Sequence, residues 1–148
     1  MYNKFFKHSM ADYFVTPQML NHMNITHGGT ILTRLDSAMG LFANSYAKTQ
    51  TLTGRIDRVS FYRPSSVGDH LSFCLTLLKT TKRTMTIYAA INRLSLDNRQ
   101  TELIGEAVLT YVAVDAQLRP IQGQIEPYQV SDKTEEEFIH SLKDRLGL

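Results

Sequence analysis

Cysteine is almost missing from this 148-residue chain, where Cys74 stands alone. That excludes a disulfide framework within one chain and a thiol-based zinc site, and it suits a reducing compartment. An excess of either charge is missing too: 16 Lys plus Arg face 14 Asp plus Glu, a net +2. So small and mixed a balance gives no bulk attraction for nucleic acid or a membrane surface. No apolar run approaches the roughly 18 residues of a membrane span, and residues 1–10, despite Lys4 and Lys7, lack the apolar stretch of a secretory signal. These absences lead to the expectation of a cytoplasmic protein with no nucleic-acid or membrane partner. Repeats, low-complexity tracts and Pro/Gly-rich linkers are likewise missing, and Pro17, Pro64, Pro120 and Pro127 fall where elements would begin or end. One domain over residues 1–148 is therefore expected. A chain of this length buries about 68–70% of its unfolded surface and can build a core without disulfides or structural metal.

What is present has a clear order. A first extended segment lies near 12–16, and residues 28–47 place Ile31, Leu35, Met39, Phe42 and Tyr46 on one face of a long helix. The period then drops to two: Leu71, Phe73, Leu75 and Leu77 alternate with polar or small residues, as a half-buried strand requires. Further strands are expected at about 53–62, 84–94 and 103–115, joined by turns short enough for antiparallel pairing. A last helix is expected over 133–146. Thr134 and Glu137 have the spacing of a capping box, and Lys143 and Arg145 fill the last turn. The pattern defines an α+β fold in which a long helix buries its apolar face against a curved antiparallel sheet of about five strands. Its open edge would be covered by pairing with a second copy.

Two places invite chemistry. Asn21 to Gly29 concentrates Asn, His and Gly just before the long helix. Asn, Gly and Thr serve turns and caps, and consecutive glycines equally let a ligand approach backbone N–H groups at the positive end of a helix, where an oxyanion would be stabilised. The residues alone leave both readings open. Asp36 lies on the flank of the same helix, beside a strip of small residues at Gly29, Thr33, Gly40, Ala43 and Ala47 that would admit another backbone or a narrow ligand. Seven residues separate Gly29 from Asp36, about 10.5 Å of helix axis at 1.5 Å per residue. That is long for a single centre, because a base works within about 3 Å of the proton it handles. If both act on one substrate, they come from two subunits. Ser9, Ser37 and Ser60 lack a nucleophile-elbow context, and the five His lack metal-ligand spacing, so no metal site is expected. Cys74 reads as a packed strand residue.

Thr16, Pro17, Asn21, His27-Gly28-Gly29, Asp36 and the run Ser60-Phe61-Tyr62-Arg63-Pro64, with Val67-Gly68-Asp69 and 109–114, resemble the hotdog-fold acyl-CoA thioesterases. The branch is the one that includes brain acyl-CoA hydrolase and bacterial single-domain relatives. The resemblance runs over about 14–114 and leaves the last helix uncovered. It implies a central helix wrapped by a curved sheet, a homodimer as the minimum unit, and a hexamer built from three dimers. It further implies that Asp36 is the general base or, as the lesser alternative, a nucleophile, that Asn21 polarises the thioester carbonyl or holds water, and that Gly28 and Gly29 N–H groups bind the oxyanion. His27, Ser60 and Arg63 would contact substrate, and the basic turn with Lys79, Lys82 and Arg83 would join Arg63 on the phosphates of coenzyme A. Two departures stand out. Asn24 replaces a family glycine, and Arg58 replaces a small residue, where it would narrow the acyl channel or contact the nucleotide.

The resulting expectation is hydrolysis of an acyl-CoA to free fatty acid and CoA, without a cofactor, at a site shared between two subunits. A non-catalytic acyl-CoA-binding regulator and a hotdog dehydratase or hydratase using His27 are the alternatives.

Overall fold

The computed structural model describes residues 8–95, 97, 99–121, 125–130 and 132–148. Five strands, β1 (His8–Phe14), β2 (Thr51–Phe61), β3 (His70–Thr80), β4 (Thr84–Leu94) and β5 (Thr101–Ala113), form one antiparallel sheet in the order β1-β3-β4-β5-β2. Helix α1 (Gly28–Ala47) crosses its concave face, and α2 (Lys133–Leu146) follows β5. Both helices occupy the expected residues. β4 has the expected bounds, β2 and β5 begin two residues earlier and end one or two earlier than expected, and β1 begins at His8 because it pairs with β3 through Leu75. Among the described residues, no helix is long and apolar enough to cross a membrane.

Period-two alternation divides the sheet between two cores. Leu71, Phe73, Leu75 and Leu77 of β3, Met85, Ile87 and Ile91 of β4, and Leu109 and Tyr111 of β5 meet Ile31, Leu35, Met39 and Phe42 of α1. Each fully buried side chain of this size stabilises the fold by about 1.5–3 kcal/mol. The opposite parity, with Cys74, Leu78, Tyr88 and Val108, packs against Ile139, Leu142 and Leu146 of α2. Cys74 is thus a packed strand residue, as its place in the alternation implied.

The cap of α2 differs from the expected box. Asp132, one residue before the helix, accepts from the Glu135 N–H at 2.9 Å, which puts Thr134 inside the first turn. A short acidic side chain just outside the helix reaches an orphan N–H better than the internal Thr134 could. Lys143 and Arg145 do sit in the last turn, and Gly147 ends the helix at φ 74°, in the left-handed region glycine tolerates.

The small-residue strip on α1 is partly filled by the protein itself. Ala43 and Ala47 are buried in the concave core, and the Tyr111 ring lies against Gly40. At the sheet edge β2, bonded on one side to β5, leaves Leu52, Ile56 and Phe61 exposed.

Candidate active site

Asp36 projects from the middle of α1 over the start of β2. Thr53 and Tyr111 face each other across the β2–β5 ladder, and both hydroxyls converge on one carboxylate oxygen of Asp36. Thr53 Oγ1 donates to Oδ1 at 2.7 Å, and Tyr111 Oη donates to the same atom at 2.6 Å. Burial is the main force pushing the Tyr111 hydroxyl far above its ordinary pKa, and its bond to the Asp36 carboxylate adds to it. The phenol therefore remains a neutral donor. Neither Thr53 nor Tyr111 stood out as a partner of Asp36 in the sequence.

A second set gathers at the N-terminus of α1. Asn21 opens a tight loop in which its N–H donates to the Ile25 carbonyl at 2.8 Å, while its Oδ1 accepts from the Met23 N–H, also at 2.8 Å. Asn24 has φ 61°, the left-handed conformation a glycine would take, so replacing the family glycine keeps the turn. Thr26 and Ser65, both buried, staple this loop to the one after β2. The Thr26 N–H and Oγ1 donate to the Ser65 carbonyl at 2.7 and 3.1 Å, and Ser65 Oγ donates back to Thr26 Oγ1 at 2.7 Å. Between the loops lies a cavity of about 440 Å³ with Ile25, Ile31 and Phe61 as apolar walls and Asn21, Gly28, Tyr62 and Arg63 among its lining. Phe61 sits close over Gly28, and a Cβ there would lie 3.1 Å from the ring. A larger hollow of about 650 Å³ follows the charged outer face of α2 and contains none of the expected site residues.

The glycine pair is only partly free. His27 caps the helix through its side chain, with the Gly29 N–H donating to Nδ1 at 3.2 Å. The expectation of two open N–H groups is corrected here: that of Gly29 is held by the imidazole, and that of Gly28 has no partner among the described residues. An unprotonated ring nitrogen satisfies an orphan donor just as a Ser or Asp oxygen does.

Asn21, Gly28 and Arg63 thus meet in one cavity, and Asp36 lies outside it, against Thr53 and Tyr111. Ser60 borders this end of β2, half-buried, and its hydroxyl bonds Tyr62. Arg63 is paired with Glu102 at 3.1 Å and remains 62% exposed, open to a further anion. Lys82 and Arg83 occupy the tip between β3 and β4, at the far end of the sheet, with Lys79 exposed close by. From the level of Met85 and Tyr111 to that of Ile91 and Gly105, strands of about 3.3 Å per residue span roughly 20 Å. Within one protomer, therefore, the basic turn does not join Arg63. Arg58 is not among the residues lining this cavity; it lies on the α2 side of the sheet and donates to the Leu146 carbonyl at 3.1 Å.

A profile of the thioesterase superfamily matches residues 23–95, about half of the chain. An uncharacterized acyl-CoA thioester hydrolase of Zymomonas mobilis is 33% identical over 95 residues, 64% of this chain and 64% of that protein. Another, from Bacillus subtilis, is 27% identical over 129 residues, covering 86% of this chain and 72% of the relative. The fold superposes on a hexameric acyl-CoA thioesterase with a TM-score of 0.82 at 25% identity, over 93% of this chain and 87% of the other. An acyl-CoA hydrolase from Staphylococcus aureus, solved with butyryl-coenzyme A and coenzyme A, gives 0.81 at 24% identity over 94% and 84%. Variants of that enzyme with an Asn, an Asp or a Thr replaced by Ala have also been solved. Curled sheet, long central helix and profile agree: the fold is the hotdog fold, and residues 23–95 carry the match to the thioesterase superfamily.

Proposed function

We propose that the protein is an acyl-CoA thioester hydrolase, releasing a free fatty acid and CoA at a site shared between two subunits. The observation that carries this reading is the arrangement of the Asp36 carboxylate. It is clasped through Oδ1 by Thr53 and Tyr111 at the open β2 edge, while Asn21 and Gly28 border a separate cavity. Spacing supports the residue roles. Asn21 and Asp36 are 15 positions apart and Asp36 and Thr53 are 17 apart, the same separations as the substituted Asn, Asp and Thr of the Staphylococcus aureus hydrolase.

Oδ2 of Asp36 takes a proton from water as the water oxygen bonds to the thioester carbon. The carbonyl electrons move onto oxygen, where the Gly28 N–H, the Gly29 N–H once His27 yields it, and the Asn21 amide of a partner subunit stabilise the charge. Collapse re-forms the carbonyl and breaks the carbon–sulfur bond, and the departing thiolate recovers the proton from Asp36. The products are a carboxylic acid and a thiol, and water is the only co-reactant.

In this reading residues 1–148 act as one domain, and two copies pair through β2. Their assembly into a hexamer follows the hexameric thioesterase that the fold resembles. Pairing would bring Lys82 and Arg83 of one copy toward Arg63 of the other, where they would receive the phosphates of CoA, with His27 and Ser60 nearby. A cytoplasmic setting fits the lone, buried thiol of Cys74.

The test is thiol release from a panel of acyl-CoAs of increasing chain length, followed with a thiol-reactive dye. Release from at least one member, dependent on Asp36, is expected. Tight binding of acyl-CoA without release would instead favour the regulatory alternative.

A further inference from the structure

Both donors that reach the Asp36 carboxylate choose the same oxygen. Thr53 and Tyr111 bond Oδ1 at 2.7 and 2.6 Å, and Oδ2 has no donor among the described residues. Their circumstances differ sharply: Thr53 is exposed on the edge strand, whereas Tyr111 is 1% exposed, with its ring against Gly40 and its hydroxyl reaching α1 from β5 below. The same phenol lies 3.1 Å from the main-chain carbonyl of Asp36. One rigid, buried donor therefore fixes both the backbone and the side chain of a single helical residue.

We infer that Tyr111 is a positioning residue for the hydrolysis proposed above: it pins Asp36 through Oδ1 and leaves Oδ2 as the oxygen that takes the proton of the attacking water. The inference rests on that proposed reaction. Thr53 alone could not hold the carboxylate, because an exposed hydroxyl exchanges its partner for water at little cost, whereas the buried phenol is kept from water and both of its acceptors, Oδ1 and the main-chain carbonyl, belong to Asp36. Buried beneath α1, Tyr111 acts on the reaction through Asp36. Alignment of a base to within a fraction of an ångström is worth much of its rate, so a loss of aim appears in kcat before it appears in binding.

Tyr111→Phe keeps the ring and removes the hydroxyl. The expected result is a fall in kcat of about tenfold with KM within about twofold of the parent. Thr53→Val removes the other donor to the same atom, so the double variant should depart from additivity. A purely structural role would lower the melting temperature and leave the kcat of the folded variant at the parental value, and that result overturns the inference. The ¹³C signal of the Asp36 carboxylate, assigned by its loss in Asp36→Asn, gives an arm that needs no substrate. It should move in Tyr111→Phe. If the parent protein hydrolyses no acyl-CoA, the proposed reaction fails, and this signal alone then decides whether Tyr111 holds Asp36: an unmoved signal overturns the inference. Should Tyr111→Phe fail to fold, Thr53→Val with the same kcat and KM measurements tests the clasp, and an unchanged kcat there overturns it.

Discussion

Arg145, in the last turn of α2, closes two parallel hydrogen bonds onto Glu106 in the middle of β5, at 2.7 and 2.8 Å. Glu106 is 1% exposed, and it also accepts from the hydroxyls of Tyr62 and of Tyr88, the latter at 2.7 Å. The end of the chain is thereby tied to the outer face of the sheet and, through Tyr62, to the wall of the cavity beside Asn21. A buried carboxylate is tolerated here because a bidentate guanidinium and two phenols replace its lost water.

Those donors hold the Glu106 carboxyl down at about 2 against an ordinary value of 4.5, the Arg145 guanidinium contributing most. A depressed carboxyl pKa stabilises the fold above the unfolded value and loses that contribution as pH falls through the folded one. Stability of the parent should therefore decline between about pH 4.5 and pH 2, and Glu106→Gln should flatten that part of the decline. At neutral pH the variant should lose about 2 kcal/mol, a modest figure because Arg145 is half exposed and can turn to water. Thermal melts across the acid range check both. A variant as pH-sensitive as the parent would mean that other carboxylates govern the acid transition.

Arg58→Ala separates two roles for that side chain. Its contact is the Leu146 carbonyl at the C-terminus of α2, where a cation meets the negative end of the helix. Removing it should cost less than about 1 kcal/mol and leave the chain-length profile of thioester hydrolysis unchanged. A profile that shifts toward longer acyl chains would return Arg58 to the acyl channel.

What the sequence disclosed depends on how far apart the interacting residues are. Both helices were legible to the residue because periodicity, flanking glycines and terminal charges act within a turn or two. The strands followed from alternation. Asp36 could be placed on the flank of α1 from helix geometry, yet its partners could not: Thr53 and Tyr111 meet under it only through the β2–β5 register, which no local pattern encodes. Glu106 and Arg145 are 39 residues apart and join only after α2 docks. The His27 cap was hidden for another reason, since imidazole is an uncommon cap and the neighbouring Asn and Thr drew attention as the usual ones.

His27→Ala tests whether the imidazole is a cap or a reagent. As a cap it holds the Gly29 N–H at 3.2 Å, and losing it should cost about 1 kcal/mol of stability. Turnover should then persist at saturating substrate, since Gly29 loses its competitor for the oxyanion. A loss of kcat beyond about a hundredfold, in a variant that still melts cooperatively, would instead mark His27 as an acid–base group of the dehydratase kind.

The separation of Asn21 from Asp36 makes subunit sharing open to direct test. Asp36→Asn should abolish most turnover with little change in folding, because the amide keeps an oxygen for Thr53 and Tyr111 but cannot take a proton. Asn21→Ala should do the same by removing the amide beside Gly28. In a two-fold dimer whose sites each take Asp36 from one copy and Asn21 from the other, a hybrid of the two variants holds one site with both defects and one intact. Random exchange makes half of all dimers hybrids, so an equal mixture should regain about a quarter of parental activity. Unmixed variants stay inactive under the same treatment. Sites confined to one chain would regain nothing, however complete the exchange, and mass spectrometry of differently tagged subunits shows that hybrids have formed.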